Sequence, residues 1–270
     1  MHAFLRPIVF ALVVSLAAPP LWARQAQAPA KPFEPTVGQP GKDVVWVPTP
    51  QELVEKMLDL AQVTKDDYVI DLGSGDGRTV IAAARRGARA HGIEYNPDMV
   101  GLAQYNAKQA GVEGRATFAR ADIFESDFTK ASVITLFLLP TLNMKLRPTI
   151  LKMRPGTRVV SNTFTMEDWQ PDESATIGGD CVSWCTAHLW IVPAQVGGTW
   201  EVAGQGMLTL NQRFQFVSGT LGGSAISDGR LRGDEITFSI GATKYTGRIN
   251  GNTMTGTTST GAKWTATRRS

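Results

Sequence analysis

Between Tyr68 and Ala84 the hydrophobic period of the chain changes once, and that change limits the folds open to it. Tyr68-Val69-Ile70 are β-formers in an apolar run, Asp71-Leu72-Gly73-Ser74-Gly75-Asp76-Gly77 is a glycine-dense turn, and Thr79-Val80-Ile81-Ala82-Ala83-Ala84 is a helical segment. A buried strand turning tightly into a helix opens a βαβ unit. Glycines at three alternate positions let the backbone take positive φ and put no Cβ between the main chain and a ligand at the helix N-terminus. Alone, a GxGxG turn fits an ordinary strand-to-helix loop as well as a nucleotide site. The residues around it decide.

Strand and helix alternate from there. Residues 78–86 predict a helix closed by Gly87, residues 88–94 a strand, Asn96 and Pro97 the start of a helix reaching Gly111, and residues 116–121 a third strand. Residues 132–138 form the continuous apolar run of a central parallel strand covered on both faces. A helix over about 142–153, interrupted by Pro148, and a strand over 157–161 follow. Upstream, Thr49, Pro50 and Glu52 read as N-cap, first helical position and capping box of a helix whose Leu53, Met57, Leu60 and Ala61 face a core. The alternation predicts an α/β fold with a doubly wound, Rossmann-like parallel sheet, and 187–192 as its antiparallel edge. Beyond residue 197 helical periodicity disappears. Short strands at 200–202, 207–210, 214–217, 235–240 and 244–247, separated by Gly, Asn and Asp turns, predict a small C-terminal antiparallel β domain.

The expected organisation is a signal peptide over 1–28, a disordered linker over 29–43 rich in Pro, Ala and Gln, the sheet domain over 44–195 and the β-rich domain over 196–270. Arg6 precedes an apolar run at 8–18, the length of a secretory h-region and short for a bilayer span. This places the chain outside the cytoplasm, exported or periplasmic, with no stable membrane span after cleavage. An uncleaved N-terminal anchor is the alternative. Cys181 and Cys185, the two cysteines, suit a small disulfide loop in such a compartment, or stay as free thiols. Their spacing is not a zinc spacing, and no metal site is expected. The 27 Lys+Arg against 24 Asp+Glu give a net charge of +3 without basic runs, which does not favour nucleic acid as a partner.

Ligands of open parallel sheets bind at the carboxyl ends of the strands. Asp71 and the glycines follow the first strand, Glu94 ends the second, Asp122 follows the third, and Leu138-Leu139-Pro140 follow the fourth. Three carboxylates in a row accept hydrogen bonds from ribose hydroxyls or amines and suit a nucleoside that carries positive charge. A dinucleotide site would call for GxGxxG, and Asp71 and Asp76 oppose a diphosphate. A nicotinamide-dependent oxidoreductase therefore stands behind a phosphate-free sulfonium cofactor, S-adenosylmethionine.

Asp71-Leu72-Gly73-Ser74-Gly75-Asp76-Gly77 resembles motif I of the class I, seven-strand methyltransferases, and Glu94 sits where that family has its ribose-binding acid. The resemblance implies that Gly73 and Gly75 approach the methionine moiety, Glu94 holds both ribose hydroxyls, and Asp122 with Ile123 meets the adenine. Asp71, Ser74, Tyr95 and Leu138 complete the expected cofactor set. Over about residues 44–169, Val47-Pro48-Thr49-Pro50, Phe137-Leu138-Leu139-Pro140, Arg158-Val159-Val160-Ser161 and Asp168-Trp169 are similar to the lysine methyltransferase family that includes the mitochondrial ATP-synthase c-subunit enzyme and archaeal relatives. That resemblance implies methyl transfer to an amine, a lysine of a protein substrate or a small-molecule amine, with Leu139, Pro140 and Asn143 in the acceptor region. No residue stands out as a general base. The competing class is a non-catalytic nucleoside-binding or partner-binding module on a relic methyltransferase fold. Asn143 also reads as a helix-surface residue, His91 and His188 as structural, and Trp200 and Trp264 as core of the tail.

Overall fold

A computed structural model describes residues 33–179 and 181–269; the expected signal peptide lies outside them. The first sheet comprises β1 (Tyr68–Leu72), β2 (Arg89–Glu94), β3 (Ala116–Arg120), β4 (Val133–Leu136), β5 (Arg158–Asn162), β6 (Glu173–Thr176) and β7 (Thr186–Ile191), in the spatial order β3-β2-β1-β4-β5-β7-β6. Strands β1 to β5 are mutually parallel, and β7 runs antiparallel to both neighbours. Helices α1 (Gln51–Leu60), α2 (Arg78–Arg85), α3 (Pro97–Gln109) and α4 (Pro140–Ile150) complete this unit.

The central strands read as unbroken apolar runs because both faces are covered. Val69 of β1 packs with Leu53, Met57, Val80 and Ala83 of α1 and α2, whereas Ile70 and Leu72 pack with Leu146 and Ile150 of α4. The chain leaves β1 for β2 on one side and returns to β4 on the other. This is the switch point at which a crevice opens above the strand ends.

The structure departs from local expectation at the sheet edge, at the start of α1 and in the segment before it. The antiparallel strand β7 is not the edge: β6 lies outside it and runs in the direction of β1 to β5; Glu173-Ser174-Ala175-Thr176 is too polar to announce a strand. Thr49 is not an N-cap: α1 starts at Gln51 with Pro50 flanking it and no side-chain cap. Thr49 is instead buried, its carbonyl accepting from Arg78 Nη1 at 2.7 Å and its hydroxyl from Asn162 Nδ2 at 3.3 Å. Residues 33–43, expected as part of a disordered linker, are ordered by backbone bonds. Gly38 N donates to Trp46 O at 2.8 Å, Trp46 N to Gln39 O at 2.9 Å, and Gly41 N to Val44 O at 2.9 Å.

The second sheet comprises β8 (Gly198–Val202), β9 (Gly206–Arg213), β10 (Phe216–Leu221), β11 (Ser224–Ala225), β12 (Ser227–Arg232), β13 (Glu235–Ile240), β14 (Thr243–Asn250), β15 (Thr253–Thr258) and β16 (Lys263–Arg268). Its order is β11-β10-β12-β13-β14-β15-β16-β8-β9, and β9 also pairs with β10, so the meander closes on itself like a barrel and leaves few free edges. Trp200, Phe238, Tyr245, Met254 and Trp264 fill its interior, with Phe238 and Tyr245 stacked at 4.8 Å. β12, β15 and β16 carry no clear strand signal, because Ser, Asp and Arg dominate the first and Thr is frequent in the other two. Phe214 and Gln215 form the β9–β10 turn instead of strand, Phe214 at φ 54°. That turn docks on the β5–β6 connection: Phe214 stacks on Trp169 at 5.8 Å and Gln215 Nε2 donates to Gln170 O at 2.7 Å.

Candidate functional site

A cavity of about 410 Å³ opens above the carboxyl ends of β1 to β5. Its floor is the glycine turn. Gly73, Gly75 and Gly77 have φ of 82°, 52° and 83°, a region that L side chains rarely enter. Gly73 N and Ser74 N both donate to Ile93 O, at 2.9 and 3.1 Å, tying the turn to the end of β2. A Cβ on Gly75 would lie 2.8 Å from Trp46 Nε1, and one on Gly73 would lie 3.2 Å from Leu138 Cδ2. The bare backbone is what makes room here.

Glu94 closes one side. Its Oε2 accepts from Gly75 N at 3.0 Å and its Oε1 from Asn96 N at 2.8 Å. Each oxygen keeps acceptor capacity for a further donor. Asp122 accepts from Phe124 N at 2.9 Å and forms an ion pair with Lys42, whose ammonium stands over the Tyr95 ring at 4.9 Å. The Lys42 hydrogen bond, with that of Phe124, holds the Asp122 carboxyl below its ordinary range, and the same bond raises Lys42. Residues 39–49 thus close over the cavity as a strap, a feature the sequence reading missed because Pro, Gly and Lys there carry no periodicity.

Asp71 lies beneath the turn, 7 % exposed, and accepts from Thr135 Oγ1 at 2.5 Å. Burial first, then the nearby Glu94 and Asp76, push its carboxyl up to about 7 against the pull of Thr135. Asp76 is held by Arg78, with Nη2 at 2.6 Å and Nε at 3.0 Å. The expected row of repelling carboxylates is therefore partly neutralised. Of the acids that argued against a diphosphate, Asp76 is ion-paired and Asp71 is half protonated near neutrality, which leaves Glu94 as the group that most clearly carries the preference. Ser74 lines the cavity with its hydroxyl buried and, among the described residues, without a hydrogen-bond partner.

Gly73, Ser74, Gly75, Asp71, Glu94, Tyr95, Asp122, Ile123, Leu138 and Leu139 all line this one cavity. Pro140 and Asn143, expected in the acceptor region, do not. Pro140 begins α4, and Asn143 is fully buried, which also overturns its reading as a helix-surface residue. Its Nδ2 donates to Phe164 O at 3.3 Å and Thr165 O at 3.2 Å, so it braces the segment after β5. Lining residues without a local signal were Trp46, Phe164 and Trp184. His91 and His188 bond Thr117 and Ser174, each at 2.8 Å, away from the cavity. Cys181 and Cys185 form a disulfide.

The family profile described as the ANTKMT methyltransferase domain matches residues 71–173. A protein-lysine N-methyltransferase of Saccharolobus islandicus is 44 % identical over 133 residues, 48 % of this chain and 83 % of its own length. The ATP synthase c-subunit lysine N-methyltransferase of Mus musculus is 36 % identical over 141 residues, 51 % of this chain and 56 % of its own length. This chain thus spans most of the archaeal relative but little over half of the mouse one. A crystal structure described as an RNA methyltransferase from Salinibacter ruber in complex with S-adenosyl-L-homocysteine is 47 % identical and covers 56 % of this chain and 96 % of that one, with a TM-score of 0.52.

Proposed function

This chain belongs to the lysine methyltransferase family of class I S-adenosylmethionine-dependent enzymes, and from that premise we propose that it N-methylates lysine side chains of a protein substrate. Its cofactor is S-adenosylmethionine. The cavity suits that group: a glycine cradle that any Cβ would obstruct, a buried Ser74 hydroxyl with no partner among the described residues, and Glu94 with acceptor capacity to spare. In this reading Glu94 takes the ribose hydroxyls, the Gly73–Gly75 turn lies against the methionine moiety, and Ile123 with Asp122 flanks the adenine. When bound, the cofactor supplies an electrophilic methyl on a cationic sulfur.

The chain's own contribution is alignment and exclusion of water. Phe137, Leu138 and Leu139 line the cavity after the end of β4 and can hold an entering amine in line with the methyl group. Among the described residues no cavity-lining side chain is placed as an obvious base, so the bound ammonium gives its proton to solvent before the neutral amine attacks. The single observation that carries the reading is the union, in one cavity, of Glu94 beside the glycine turn with an apolar wall at the end of β4.

A second reading, methylation of RNA, is favoured by the name of the Salinibacter ruber relative. The modest net charge, without basic runs, offers little electrostatic footprint for a polynucleotide and supports protein instead. Export belongs to the same proposal. The apolar run at 8–18 has leader length, and the Cys181–Cys185 bridge is of the kind that persists in oxidising compartments. N-terminal sequencing of secreted protein checks it; retention of residues 1–28 would refute cleavage. For the activity, calorimetric titration with S-adenosylhomocysteine and with NAD is the test. Homocysteine-nucleoside binding that E94A abolishes supports the reading, and binding of NAD alone would end it.

A further inference from the structure

The cavity has two chemically different ends. Glu94, Tyr95 and Asp122 form the polar one, and three rings form the other: Phe137 after β4, Phe164 after β5, and Trp184 in the loop before β7. Phe137 and Phe164 stack at 5.9 Å with planes 22° apart, and Trp184 meets Phe137 edge-on at 6.1 Å and 65°. Trp184 is 40 % exposed, so the core does not require it, yet it lines the cavity. Its backbone sits at φ 56°, costly for a bulky side chain and sustained only where the surroundings enforce it. The Cys181–Cys185 bridge encloses that residue and shortens the list of conformations its loop can adopt.

We propose that Trp184, held by the disulfide loop, is an acceptor-specificity residue: with Phe137 and Phe164 it forms an aromatic corner that receives the alkylammonium end of the acceptor. The inference rests on the amine-methylation reading and names what recognises the amine. Two near-parallel rings and a third set across them make a corner, not a slot between parallel faces. A corner suits a compact cation, whereas a planar base would need a parallel pair. Aromatic faces attract ammonium groups, and each added methyl lowers the hydration that competes with them, so binding strengthens from amine to trimethylammonium. The surface would thus favour the acceptor over uncharged chains of equal length and also retain partly methylated product.

The test uses the full chain saturated with S-adenosylhomocysteine and ligand-observed NMR titration with Nα-acetyl-lysinamide, its Nζ-trimethyl form, neutral Nα-acetyl-norleucinamide and uridine. The wild type is expected to rank trimethyl-lysinamide above lysinamide above norleucinamide. W184A is expected to weaken the two cations about tenfold, to flatten that ranking, and to leave the affinity for S-adenosylhomocysteine intact; W184F keeps a ring and is expected to stay within about threefold of wild type. The double variant Cys181→Ser/Cys185→Ser is expected to shift in the direction of W184A. Equal binding of lysinamide and norleucinamide, unchanged cation affinity in W184A, or preference for uridine would each overturn the proposal while sparing the cofactor site. Failure of the wild type to bind S-adenosylhomocysteine would overturn both.

Discussion

Asp71 offers the sharpest quantitative prediction. Its carboxyl is buried under the glycine turn and pushed up to about 7 by desolvation, then by Glu94 and Asp76. Compared with an ordinary value of 3.8, holding it ionised costs the fold roughly 4 kcal/mol at about 1.36 kcal/mol per pH unit. From about pH 4 to 7 the unfolded chain has released this proton and the folded chain keeps it. The folded state binds more protons there, so Asp71 makes stability fall as pH rises through that window, and above about pH 7 the loss is complete and constant. Asp71→Asn removes the titration but still offers an oxygen to Thr135 Oγ1. Relative to wild type, the variant is expected to gain stability progressively between pH 4 and 7, reaching on the order of 4 kcal/mol at pH 8. Urea unfolding of both proteins at half-unit pH steps measures it. A cationic ligand should also draw Asp71 into its ionised form. The preference for S-adenosylmethionine over its neutral-sulfur product should then grow through pH 7 in the wild type and not in the variant. Parallel stability curves, or an equal pH response of that preference, would refute the electrostatic argument.

Other variants test neighbouring parts of the site. Gly75→Ala forces a Cβ to 2.8 Å from Trp46 Nε1 at a positive φ, and is expected to cost about 1–2 kcal/mol in urea unfolding and at least tenfold in S-adenosylhomocysteine affinity. Glu94→Gln takes away one of the two acceptors facing Gly75 N and Asn96 N; a loss of about 1–3 kcal/mol, together with weaker nucleoside binding by calorimetry, is expected. Arg158→Ala strips Asp67 of its ion pair and leaves Ala61 O and Gln62 O without that donor, for an expected loss of roughly 3–5 kcal/mol near neutral pH. Burial raises Asp67, but Thr64, Ser132 and Arg158 together outweigh it and hold the carboxyl below 3.8. Its contribution is therefore present above that value and lost as pH falls through the folded one, so thermal melts should show the Arg158→Ala penalty shrinking in acid.

The sheet was legible because its strands are buried on both faces: Val69 and Ile70 point to opposite layers, and both must be apolar. The acids were legible because strand ends and ligand ends coincide in such a sheet, so Asp71, Glu94 and Asp122 could be placed together from spacing alone. Charge state was not. The pairing of Asp76 with Arg78, two residues on, depends on how the turn folds, and the burial of Asp71 is a tertiary fact; together they shift the electrostatic weight from three carboxylates to Glu94. Asn143 looked like a surface residue because a polar side chain in a helix usually is one; it is buried against the carbonyls of Phe164 and Thr165. Phe137, Phe164 and Trp184 lie far apart in the chain and meet through the β4-β5-β7 neighbourhood, which no local pattern reports. The barrel strands β15 and β16 were hidden for a related reason. Their inward side is sparse, chiefly Met254, Trp264 and Ala266, and closure supplies the burial that their sequence does not advertise.

The most direct test of the central claim is the identity of the atom that receives the methyl group. Full-length protein, methyl-labelled S-adenosylmethionine and a proteome and RNA extract are incubated together, and the labelled products are resolved by mass spectrometry. Label is expected on lysine Nζ of protein, and absent when Glu94 is replaced by alanine. Label on RNA, or none anywhere despite measured cofactor binding, would contradict the claim.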